Sequence, residues 1–127
     1  MRWLKRKHKG PSRRQEQVGS VIAETISEII RTEVHDPRVA EMVSITYVKV
    51  SPDLRDAIVY FSIIGTEQEW KDTEEGLNKA KGFIQKLLGE RIFLKVTPRL
   101  RFVPDHTMEQ AQKIEQLIEE NIKTNEA

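Results

Sequence analysis

Residues 66–89 read TEQEWKDTEEGLNKAKGFIQKLLG, and the fold turns on them. Thr66 followed by Glu69 is a capping box, in which each side chain accepts a backbone N–H of the first helical turn. Trp70, Thr73, Leu77 and Ala80 then recur at helical spacing, and Phe83, Ile84, Leu87 and Leu88 continue the apolar face. Gly82 interrupts this run. Glycine costs about 1 kcal/mol against alanine inside a helix, so the sequence predicts a kink or break there, and Gly89 is expected to end the second half.

The flanking segments supply strands. Upstream, residues 42–50 are rich in β-branched side chains and read as a strand. Ser51-Pro52-Asp53 is turn chemistry, and residues 57–64 form a second strand, apolar on both faces and so expected to be an inner or doubly covered one. The short spacing makes the two a hairpin. Downstream, residues 100–103 after Pro98 make a third strand. Arg99 and Arg101 alternate there with Leu100 and Phe102, which sends the guanidinium groups to one face and the apolar groups to the other.

Further out, Ser12 and Gln15 make another capping box. Val18, Val21, Ile22, Ile26, Ile29 and Ile30 then mark an amphipathic helix that must stop before Pro37. A third box is expected at Thr107–Gln110, opening a helix with Ala111, Ile114, Leu117, Ile118 and Ile122 on one face. The order is α-β-β-α-α-β-α. This is the order of an α+β, type II KH-like domain with a three-stranded sheet and an added C-terminal helix. Residues 1–11 read as a basic arm, 12–106 as the KH-like domain, and 107–127 as the last helix and a fraying tail.

Charge is distributed unevenly. The 127 residues carry a formal net charge of only +1. Yet Arg2, Lys5, Arg6, Lys7, Lys9, Arg13 and Arg14 crowd the start without an acid, and Lys79, Lys81, Lys86, Arg91, Lys95, Arg99 and Arg101 face only Glu90. Two such segments on a near-neutral chain suggest a polyanion as partner. The absence of cysteine rules out disulfides and thiolate chemistry. No apolar run approaches a membrane span, and the basic start leads into Gly10-Pro11-Ser12, not a signal core; a cytoplasmic protein is expected.

RNA binding is the chemistry these residues favour. KH domains grip nucleotides with a GXXG loop between two helices, where missing side chains let phosphates approach the backbone. No GXXG is present, but Ala80-Lys81-Gly82 stands at the corresponding place, with Lys79, Lys81 and Lys86 around it. The local sequence leaves two readings open, a phosphate approach or small residues at a crowded helix contact. Trp3 could stack on a base, while Tyr47, Tyr60, Phe61 and Trp70 read as core. Catalysis finds no footing. His8, His35 and His106 lack metal-ligand spacing. No Walker A loop, nucleophile elbow or HExxH occurs, and His35-Asp36 and Asp105-His106 read as caps and turns.

Four segments in order resemble the ribosome-binding factor A family over about residues 13–122. They are Asp36-Pro37-Arg38; Val48-Lys49-Val50-Ser51-Pro52-Asp53-Leu54; Leu77-Asn78-Lys79-Ala80-Lys81-Gly82-Phe83-Ile84, with an AxG kink in place of GXXG; and Pro98-Arg99-Leu100-Arg101-Phe102-Val103-Pro104-Asp105. The resemblance implies a non-enzymatic factor, without cofactor or metal, that holds 16S rRNA on the 30S subunit late in assembly. It also implies a part in pre-rRNA processing and cold adaptation, release with an assembly GTPase, and a monomer off the ribosome. The alternative is a general translation or dormancy factor binding mature ribosomes. The residues expected to hold RNA are Lys5, Arg6, Lys7, Lys9, Arg13, Arg14, Lys79, Ala80, Lys81, Gly82, Lys86, Arg99 and Arg101.

Overall fold

The computed structural model describes residues 10–126, so Lys5, Arg6, Lys7, Lys9 and the rest of the basic arm before Gly10 lie outside the described residues. The first helix, α1, spans Arg13–Glu33. Ser12 caps it as expected: its Oγ accepts the Gln15 N–H at 3.2 Å, and the Gln15 side chain accepts the Ser12 N–H at 2.8 Å. Strands β1 (Val43–Val50) and β2 (Asp56–Ile63) pair antiparallel as the expected hairpin. Their turn carries a residue that the sequence did not flag. Leu54 has φ 62, in the left-handed region that non-glycine residues seldom enter. The Leu54 N–H donates to the Ser51 carbonyl, and Asp53 Oδ1 accepts from the Ser51 hydroxyl and the Arg55 N–H, which fixes the turn around it.

Helix α2 runs Glu67–Arg91 from the predicted Thr66–Glu69 box. Strand β3 (Arg99–Pro104) follows, then α3 (Thr107–Glu126). The sheet order is β1-β2-β3, and β3 lies parallel to β2 with α2 as the crossover. Val48, Val50, Ala57, Val59, Phe61, Ile63, Leu100 and Phe102 all point to one face, where Ile22, Ile26 and Ile29 of α1 and Leu77, Ile84 and Leu88 of α2 complete the core.

The α+β class and the three-stranded sheet are as expected, with three local differences. Where two helices were expected, α2 is a single one, uninterrupted at Gly82. The cost of one helical glycine is about 1 kcal/mol, and the flanking Leu77, Ile84 and Leu88, each 0% exposed, hold the helix together through packing. Gly89 does not end α2. A Cβ there would lie 2.6 Å from Thr97 Oγ1, so this glycine admits the returning α2–β3 loop. Strand β2 is the inner strand, the first of its two expected readings, with Ile58 and Tyr60 on the open face. Finally, Thr107 lies inside α3, donating its N–H to Asp105 Oδ1, so it is not the N-cap. Along α3, Ile114, Leu117 and Ile118 remain more than half exposed.

Candidate nucleic-acid interface

The orientation of α2 determines where its lysines stand. Its Asn78 and Gln85 lie against the free edge of β3. The Phe102 N–H donates to Asn78 Oδ1 and Asn78 Nδ2 donates to the Phe102 carbonyl, both at 3.1 Å, while the Leu100 N–H donates to Gln85 Oε1 at 3.3 Å. These bonds meet backbone groups that an edge strand would otherwise leave unpaired. Lys81 lies three residues after Asn78 and four before Gln85, so it shares their row along the β3 edge. Lys79, Gly82 and Lys86 fall further round, on the solvent side, and all are exposed.

Arg99 and Arg101 are exposed and leave the sheet on the face opposite Leu100 and Phe102, as their alternation predicted. The lysines of α2 and the arginines of β3 thus do not share one surface. The positive charge wraps around the free edge of β3, with Lys81 at the seam. Some of it is already neutralised: Lys79 Nζ lies 3.8 Å from Glu75, and Arg99 Nε lies 3.0 Å from Asp56. Among the described residues, no carboxylate comes within 4.0 Å of Lys81, Lys86 or Arg101. Register adds a cation that the sequence reading passed over, since Lys49 pairs with Ile58 and Ile58 with Arg101 across the open face. Beside them Tyr47 and Tyr60 stand 6.4 Å apart, ring to ring, on that face and not in the core.

Arg13 and Arg14 are placed elsewhere. The start of α1 lies along the outer edge of β1, where Gln15 Nε2 donates to the Val50 carbonyl at 2.8 Å. Both arginines are therefore at the end of the sheet where β2 and β3 begin. Gly19 allows this approach, because a Cβ there would lie 2.6 Å from the Val48 carbonyl oxygen. Gly82 is the opposite case: among the described residues, nothing beyond its own helix lies within 4 Å of where its Cβ would be. The crowded-contact reading therefore fails for Gly82, while Ala80 is half-buried against the core.

Both pairs considered for acid–base chemistry are engaged in turns. The Arg38 guanidinium pairs with Asp36 at 2.7 Å and the Arg38 N–H donates to it at 2.8 Å, and these bonds, the first above all, hold its carboxyl down at about 2. Asp105 accepts from Thr107 and from the Thr46 hydroxyl, which also hold its carboxyl below the usual range. The His106 ring lies 4.1 Å from that of Trp70. Among the described residues, no group of three His, Asp or Glu could hold a metal, and no helix is long and apolar enough to cross a membrane.

The family model for ribosome-binding factor A matches residues 14–118. The chain belongs to the ribosome-binding factor A family. Ribosome-binding factor A of Acetivibrio thermocellus is 41% identical over 112 residues, covering 88% of this chain and 91% of the relative. That of Finegoldia magna is 44% identical over 118 residues, covering 89% and 98%. Among solved structures, a Thermotoga maritima ribosome binding factor A solved by NMR superposes with a TM-score of 0.65 at 36% identity, over 74% of this chain and 89% of that one. A Thermus thermophilus ribosome binding factor A model, fitted into a cryo-EM map of a 30S complex, has the same fold at 23% identity, with a TM-score of 0.55 over 76% and 96%.

For a ribosome-binding factor A chain, the type II KH-like frame accounts for the placement of Ala80-Lys81-Gly82 on α2, alongside β3. It does not account for the open-face cation Lys49. Lys49 lies in a segment that reads as ordinary strand until register places it across Ile58 from Arg101.

Proposed function

We propose that this chain is a non-enzymatic assembly factor of the small ribosomal subunit, holding 16S rRNA during late maturation and pre-rRNA processing in the cytoplasm. The observation that carries this reading is the open flank of Gly82. A helix-interior glycine that contacts nothing reduces stability without serving the core. On a helix bordered by Lys81 and Lys86, which have no carboxylate partner among the described residues, a bare backbone offers a phosphate close approach and two cations. The wrap of charge around β3 suits a folded RNA that contacts helix and strand together. The Thermus thermophilus relative fitted into a 30S complex supports the small subunit as the partner.

The same reading extends to a monomer off the ribosome, release with the help of an assembly GTPase, and a part in growth in the cold. The chain holds an rRNA conformation and performs no bond chemistry. The deciding experiment is crosslinking of the full chain to immature small subunits, with mapping of the RNA sites. Crosslinks should centre on Lys81, Lys86 and Arg101, and sucrose gradients should place the chain on immature 30S particles and not on 70S ribosomes. Co-sedimentation with 70S particles would favour the translation or dormancy alternative.

A further inference from the structure

We infer that the end of the molecule where α1, the β1–β2 turn and the α2–β3 loop converge is a second RNA site, which stacks an unpaired base on Phe93 and neutralises adjacent phosphates with Arg14, Arg55 and Lys95. The inference rests on the RNA-binding reading above and extends it to single-stranded RNA.

Phe93 is fully exposed, at 104%, although its neighbours Ile92 and Leu94 pack on the core. Phe93 is not isolated: Val21 beside it and Val96 three residues on are each half-exposed, and contiguous exposed apolar groups of this kind mark a contact surface. Phe93 lines a hollow of about 220 Å³ floored by Val18 and Val21 of α1. Leu94 joins this hollow to a second one of about 250 Å³, lined by Arg14, Arg55 and Lys95. Apolar floor, exposed ring and basic rim thus form one continuous surface. Sequence-tolerant binding of single strands uses this combination, a ring for the base face and cations for the backbone.

The charge favours RNA over a protein partner. Among the described residues, no carboxylate lies within 4.0 Å of Arg14, Arg55 or Lys95. The one acid of the rim, Asp53, is occupied by the Ser51 hydroxyl and the Arg55 N–H. The strained Leu54 lies between them, so the turn that holds Asp53 also presents Arg55 to the hollow. Strained backbone held in this way is characteristic of binding sites. From Gly82 to the end of α2 at Arg91 is about 14 Å of helical rise, and Phe93 follows two residues on, so one RNA could reach both surfaces.

The test uses the full chain with a fluorescein-labelled ten-nucleotide oligouridine and, in parallel, a ten-base-pair RNA duplex, read by anisotropy at several salt concentrations. Phe93→Ala should weaken oligouridine binding about tenfold while leaving the duplex, the salt slope and the melting temperature unchanged. Phe93→Tyr should restore the affinity. Arg55→Ala with Lys95→Ala should lower the salt slope instead, by about 0.7 for each phosphate no longer neutralised. Wild-type protein that ignores oligouridine, or Phe93→Ala that binds it normally, overturns the inference. Loss of 30S capture by Phe93→Ala with unchanged oligouridine binding overturns it too, because the ring would then be a protein contact. If only the inference is wrong, Lys81→Glu still reduces binding to immature subunits; if the RNA-binding reading itself is wrong, neither substitution affects any RNA.

Discussion

Asn78 and Phe102 exchange two hydrogen bonds, side chain to backbone, across 24 positions of sequence. This exchange fixes the rotation of α2 about its axis and so decides which way Lys79, Lys81 and Lys86 point. Phe102 is 1% exposed and both bonds are half-buried at the strand edge, so water is a poor substitute for the amide. Asn78→Ala leaves an N–H and a carbonyl of the strand edge unmet, at about 1–3 kcal/mol for each buried group left unsatisfied. Asn78→Asp keeps the acceptor and loses the donor. Both variants should unfold at lower urea, with the alanine variant destabilised by about 2 kcal/mol or more. Wild-type stability in either would mean that α2 is held by its apolar face alone.

Two glycines should respond to alanine in opposite ways. At Gly82 the new methyl group meets open space, so helix propensity alone acts, and Gly82→Ala should gain about 1 kcal/mol in chemical denaturation. The same methyl group obstructs a phosphate, so binding to immature small subunits should weaken. At Gly19 the methyl group would press on the Val48 carbonyl oxygen at 2.6 Å. Gly19→Ala should therefore lose about 1–3 kcal/mol, as overpacked sites do. A more stable Gly82→Ala protein that binds normally would remove the argument for phosphate approach at the helix.

What the sequence disclosed divides by range. The boxes at Ser12 and Thr66 were legible because both partners lie within one turn. The exposure of Arg99 and Arg101 was legible because strand alternation is local. Gly82 misled because a propensity of about 1 kcal/mol was set against packing that the sequence does not display. Gly89 misled because its partner, Thr97, sits across a loop. At Thr107, the Asp105 carboxylate takes the N–H that a capping box would have used. The direction of each lysine depended on Asn78 meeting Phe102, and Phe93 was hidden between two residues that do pack.

The Asp36–Arg38 pair should give stability a distinct acid limb. The hydrogen bonds from Arg38 lower the Asp36 carboxyl from 3.8 to about 2 in the folded protein. A carboxyl depressed by folding contributes fully above its unfolded value and loses that contribution as pH falls through the folded one. Asp36→Asn should therefore melt below wild type at neutral pH by a gap that holds down to about pH 4 and closes toward pH 2. A gap independent of pH across that range would assign the defect to lost turn geometry instead of charge.

Lys81 and Arg101 lie on either side of the β3 edge, and neither has a carboxylate partner among the described residues. Each is therefore free to neutralise a phosphate and release its counterions, steepening the fall of affinity with salt by about 0.7–0.9 for each phosphate neutralised. Lys81→Glu reverses a charge at the seam and should weaken binding to immature small subunits at moderate salt, with folding unchanged because the side chain is exposed. Arg101→Ala should lower the salt slope by about one such increment. If RNA wraps the edge, the double variant should lower the slope by the sum of the two. If RNA sits on α2 alone, Arg101→Ala leaves the slope untouched, and the strand face contributes nothing to the grip.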